Sequence, residues 1–192
     1  SFLLTKLPHF CIPIQFMYRF NRSGTPPALQ EFNDELNITS NEWEKASDWQ
    51  YIETLKVRFR ELLGVNNFVD TFAIEKDPTT IFCLFFFCSH IRAFEKMIDA
   101  KWELDSDHGE GYSYKGDNLE LFPPTMKLEA ELMKFIKMQQ RSNGEIYDFT
   151  LRLGFRTKHA TDIFKSWQRE HLQFKVVDSK GVDARKNSYY IN

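Results

Sequence analysis

Residues Ile81 to Cys88 read IFCLFFFC, apolar at every position, and this run constrains the fold more than any other stretch of the chain. A half-solvated strand alternates apolar and polar residues. An unbroken run of strand length instead predicts a strand buried on both faces, inside a sheet covered by helices. It is the longest apolar run in the chain and is too short to cross a membrane, so no membrane association is expected. Phe68 to Ile74 is a second strand-like run, and Asp77–Pro78–Thr79–Thr80 between the two supplies a short turn, which predicts an antiparallel hairpin. Ile91 to Trp102 then has the length and pattern of a helix covering one face of it.

Upstream, Cys11 to Arg19 (CIPIQFMYR) is expected as a strand, followed by a loop holding Gly24, Pro26 and Pro27. Leu29 to Leu36 and Glu42 to Gln50 have helical character, the second after the capping residues Thr39–Ser40–Asn41. From Ser47 a longer helix carries Tyr51, Leu55, Phe59, Leu62 and Leu63 as one apolar stripe and ends at Gly64. One strand plus a hairpin makes a thin sheet for so apolar a centre. The expectation is a partial Rossmann-like sheet with a closing β-hairpin, the first half of a doubly wound domain lying upstream of Ser1. Cys11, Cys83 and Cys88 are odd in number and lack C-x-x-C spacing, so buried free thiols are expected. The opening residues lack a signal-peptide cleavage pattern, and a cytoplasmic location is expected.

Net charge conceals an asymmetry. Residues 1–124 hold 12 Lys+Arg against 19 Asp+Glu, a balance of −7, and residues 125–192 hold 13 against 8, a balance of +5. Pro123–Pro124 lies at the crossover and stops both helix and strand. Two domains are therefore expected, 1–124 and 125–192, the second facing something anionic.

The basic part carries a helix over Leu128 to Met138, a break at Ser142–Asn143–Gly144, and a short second helix with Ile146, Phe149 and Leu153 that Gly154 ends. A third helix, capped by Thr157, turns Ala160, Ile163, Phe164, Trp167 and Leu172 inward. It leaves Lys158, His159, Asp162, Lys165, Ser166 and Arg169 outward. Phe174 to Val177 and Ser188 to Ile191 read as two short strands around a polar loop. Together these predict a small winged-helix domain, a helix-turn-helix with a β-wing, whose third helix reads nucleic acid. Lys158, Lys165 and Arg169 on that helix, and Lys180, Arg185 and Lys186 on the wing, are the candidate phosphate contacts. Against them, Asp162 and Glu170 on the helix and Asp178 and Asp183 by the wing repel phosphate, and winged helices also serve as protein-docking modules.

Other constellations are weaker. Ser89–His90 ends the buried strand, where open α/β sheets carry ligand residues. Asn21–Arg22 follows the first strand. His108 sits in an acidic loop without calcium-site spacing. No phosphate-cradling glycine loop, nucleophile elbow or zinc motif is present, so no catalytic, metal or cofactor residue is assigned.

The stretch from Ile81, IFCLFFFCSHIRAFEKMIDAKWELD, resembles the late part of the three-Cys-motif partner protein family. There a strand ending in Ser or Thr and His leads to a helix with a Lys-Met pair and an aromatic residue, then a glycine-containing turn. The matching positions are Ser89–His90, Lys96–Met97, Trp102, Gly109 and Gly111. Ile14 to Arg22 is similar to a segment placed late in that family's sheet. The resemblance implies a methyltransferase-like Rossmann domain with a C-terminal winged helix, in a bacterial or phage-associated system, beside a partner protein with a three-cysteine, radical-SAM-like motif. The family's glycine-rich and acidic cofactor segment matches nothing here, so S-adenosylmethionine is expected only in a longer parent protein. Three functions stay open: a duplex DNA or RNA binder, a module docking the partner enzyme, and an enzyme with a site built from Asn21, Arg22 and His90.

Overall fold

A computed structural model describes residues 9–13, 25–39, 48–77, 80–107, 109, 111–113, 125–170, 176–177 and 190–191; for 9–13, 48, 77, 112–113, 176–177 and 190–191 it describes the backbone alone. The protein is a mixed α/β chain that divides into two compact units. One comprises Ser1–Asp105 and Gly109–Asn118, the other Ser106–His108 and Leu119–Asn192. No helix among the described residues is long and apolar enough to cross a membrane.

In the first unit, β1 (His9–Pro13) is followed by α1 (Pro27–Glu35) and α2 (Asp48–Leu63). Then come β2 (Phe68–Asp77), β3 (Thr80–Cys88), α3 (Ile91–Leu104) and β4 (Gly111–Ser113). The sheet order is β1-β3-β2-β4. β3 runs antiparallel to both β1 and β2, and β4 pairs parallel to β2 over Ala73 to Glu75. The hairpin is the one the sequence predicts, with β1 as the third strand. The strand expected over Cys11 to Arg19 is described only to Pro13, and the helix expected over Glu42 to Gln50 lies mostly outside the described residues.

β3 departs from the expectation of burial on both faces. Ile81, Cys83 and Phe85 are buried, whereas Phe82, Leu84 and Phe86 are half-buried. The deep face, with Val69 and Ala73 of β2, packs on Tyr51, Ile52, Leu55 and Phe59 of α2. Phe59 meets Phe85 and Phe87 edge-on at 5.3 and 5.2 Å, a favoured aromatic geometry. The other face takes α3, whose Phe94 stacks on Phe68 at 4.9 Å. Leu62, expected in the stripe of α2, lies in the last turn of the helix and is 46% exposed, while Ile52, beside the predicted stripe, is buried. Gly64 ends α2 at φ +75°, as a glycine C-cap requires. Of the cysteines, Cys83 is buried, but Cys88 is only half-buried, its Sγ within 3.2 Å of the His90 carbonyl. The Cys11 side chain lies outside the described residues.

β2 also brings a charge into the core. Asp70 is 1% exposed, and its Oδ2 accepts a 2.6 Å hydrogen bond from Lys101 Nζ on α3, itself 2% exposed. Its Oδ1 lies 3.2 Å from Lys56 Nζ on α2, close enough for ion pairing though not aligned as a hydrogen bond. Burial pushes the Asp70 carboxyl up. The ammonium groups of Lys101 and Lys56 and the hydrogen bonds from Lys101 and Thr71 outweigh that and hold it at about 2. Two further details fix the β4 end of the sheet. Gly109, at φ +63°, lies against the Trp102 ring where a side chain would collide, and Gly111 lets β4 approach the Ala73 carbonyl. Arg60 of α2 donates to the Val69 carbonyl from Nε and Nη2, at 3.1 and 2.9 Å.

The second unit runs α4 (Thr125–Met138), β5 (Arg141–Ser142), α5 (Asn143–Arg152), α6 (Thr157–Arg169), β6 (Val176–Val177) and β7 (Tyr190–Ile191). Its sheet order is β5-β7-β6, antiparallel throughout. The sequence pattern does not announce β5. Ser142 belongs to it and also caps α5, its Oγ accepting from the Glu145 backbone while the Glu145 carboxylate accepts from the Ser142 N–H. The expected break at Ser142–Asn143–Gly144 is thus a helix start. Leu128, Leu132, Ile136, Ile146, Leu151, Ala160 and Trp167 are buried. Phe135 and Phe149 stack at 4.0 Å, with Arg141 over Phe135.

Candidate nucleic-acid interface

The turn between α5 and α6 sets how α6 is presented. Leu153, Gly154 and Phe155 leave the helix with Gly154 at φ +83°, and the Phe155 N–H donates to the Thr150 carbonyl at 3.1 Å. Phe155 is buried at 5% exposure and anchors the turn. α6 then begins with Arg156, not Thr157, as its N-cap residue. Its inner face is Ala160, Ile163 and Trp167, and Trp167 Nε1 donates to Glu129 Oε1 of α4 at 2.7 Å. Leu172, expected on the same face, falls beyond the end of α6 and outside the described residues.

The outer face brings three of the six predicted contacts together. Lys158, Lys165 and Arg169 are exposed on one side of α6, since spacings of seven and four residues return to the same face of a helix. Thr161, Asp162 and Gln168 are exposed beside them. Asp162, Lys165, Gln168 and Arg169 line an open concavity of about 570 Å³. Thr161 and Gln168 are absent from the predicted contacts, although the same spacing rule would find them. Lys180, Arg185 and Lys186 lie outside the described residues, in the stretch joining β6 to β7.

His159, expected outward, is half-buried with its ring edge-on to Phe155 at 6.1 Å. Burial, then Arg156 and Lys158, lower its pKa despite Asp162, and this favours the neutral ring. Ser166 is half-buried and donates to Glu170 Oε1 at 2.9 Å, which takes it out of the outer row.

Of the alternative constellation, only His90 falls among the described residues. His90 is exposed after β3 as the N-cap residue of α3, whereas Asn21 and Arg22 lie outside the described residues, as does His108. Among the described residues no group of three His, Cys, Asp or Glu is placed to hold a metal ion. No protein-family model, curated protein or solved structure matches the chain.

Proposed function

We propose that the second unit is a winged helix that binds duplex nucleic acid through α6 and the β6–β7 stretch, at the end of a methyltransferase-like protein of the three-Cys-motif partner family. Three helices with a strand before the second and two strands after the third are the elements such a domain needs, and the Gly154 turn sets α6 apart as its reader. In the first unit, a reversed strand between two parallel ones supports the end of a Rossmann-like sheet. The observation that carries the binding reading is the exposed row Lys158, Lys165 and Arg169 on a helix anchored from behind by Trp167.

Phosphate contacts release counterions, so affinity for duplex DNA or RNA should fall steeply with salt in an anisotropy titration. Reversing Lys158, Lys165 and Arg169 to Glu should lower low-salt affinity by about 100-fold or more and flatten the salt slope by about 0.9 for each phosphate no longer neutralised. No binding at low salt would sink the reading.

A second function rests on Met126 and Met138 of α4, 49% and 80% exposed. Flexible thioethers at a surface suit docking of a partner enzyme, with salt-tolerant association as its signature.

A further inference from the structure

We infer that Asp162 makes α6 selective for DNA sequence, by accepting a hydrogen bond from a cytosine amino group in the major groove. The inference rests on the proposed binding by α6 and adds to it. Asp162 is four residues after Lys158, three before Lys165 and seven before Arg169, so along the helix it falls between Lys158 and Lys165, and a helical projection puts it about 40° to one side of the row's midline, next to Arg169. Its side chain is 55% exposed. Its approach to Lys165 Nζ is a loose 3.9 Å, and it shares the concavity with Lys165, Gln168 and Arg169.

A surface built only to hold phosphates has no use for a carboxylate among its cations, where it repels the charges the lysines attract. An ionised carboxylate accepts hydrogen bonds and donates none, so it needs a donor opposite. Phosphates offer no such donor; in the major groove the cytosine N4 amino group is the donor that pairs with Asp or Glu. Lys165 and Arg169 flank Asp162 and offset its repulsion of the neighbouring backbone, while Thr161 and Gln168, uncharged and exposed alongside, suit adjacent base edges. The groove geometry selects the substrate class. Duplex DNA admits a helix into its major groove, whereas that of duplex RNA is too deep and narrow for side chains to read.

The test is selection of a randomised duplex DNA library by the full chain and by Asp162→Asn, followed by salt-titrated anisotropy on enriched and scrambled duplexes and on duplex RNA. Asp162→Asn keeps the size and removes the charge at an exposed position, and its circular dichroism should match the parent. The expected result is one position enriched in cytosine, with about tenfold or greater preference over a mismatch there. In Asp162→Asn that preference should move to adenine, which an amide reads through donor and acceptor together. Salt-steep binding with no enriched position, unchanged preference in Asp162→Asn, or binding confined to duplex RNA would overturn the inference and leave the binding proposal standing. No binding to any duplex at low salt would overturn both.

Discussion

The two units use charge in opposite places. In the first, Asp70 and Lys101 are sealed in the core and Lys56 nearly so; in the second, the core is apolar apart from groups such as Thr150, and the charge of α6 is carried on its outer face. A buried ion pair has surrendered its hydration and survives only while every partner is present. An exposed charge keeps its water, so its loss barely alters stability but alters what the surface attracts. The same kind of substitution should therefore unfold one unit and merely silence the other.

The largest effect tests that contrast directly. Asp70→Asn removes the buried carboxylate charge that Lys56 and Lys101 both face and should cost about 3–5 kcal/mol, read as an early unfolding transition in denaturant. The same carboxyl sets a pH dependence. Its pKa is lower in the folded state, at about 2, than the ordinary 3.8, so its contribution is present above about pH 4 and is lost as pH falls through about 2. Denaturant midpoints across that window should slope in the parent and flatten in Asp70→Asn.

In the second unit the corresponding core test is Trp167→Phe. It keeps an aromatic ring but removes the hydrogen bond to Glu129 and part of a fully buried side chain, for about 2 kcal/mol. Loss of the α6 anchor should also weaken nucleic-acid binding; unchanged stability would mean that the second unit is not organised around this residue. Gly109→Ala and Gly64→Ala sharpen the point within the first unit. Both glycines have positive φ, but a side chain at Gly109 strikes Trp102 and one at Gly64 meets open space. Calorimetry should find about 1 kcal/mol for Gly64→Ala and two to three times that for Gly109→Ala. Smallest on stability, and largest on binding, are the α6 charge reversals, expected within about 0.5 kcal/mol of the parent.

The hairpin, α2, α3 and the three helices of the second unit were legible because each follows a periodicity set by burial or a glycine stop. What was not legible follows from the same physics. The alternation along β3 is invisible when both faces are apolar, since residue type cannot say which of Phe85 and Phe86 lies deeper. β5 is two residues long and pairs with β7 nearly fifty residues later, so nothing local marks it. Asp70 looks like a solvent-facing position in FVDTFAI until Lys101, thirty-one residues on, arrives over it. At the candidate interface the basic row was legible from spacing alone, while the half-burial of His159 depended on Phe155 across the turn.

Arg60 has a consequence for how molecules of this protein meet one another. Along a strand, carbonyls of alternate residues point to the same edge, so Val69 and Ala73 both turn theirs toward the β4 side. Among the described residues β4 covers that edge from Ala73 to Glu75, and beyond it the Arg60 guanidinium holds the Val69 carbonyl with two hydrogen bonds. A strand from another molecule that tried to extend the sheet there would first have to displace a charged, two-pronged donor. That carbonyl is thereby withheld from edge-to-edge pairing, the route by which aromatic-rich sheets grow into fibres.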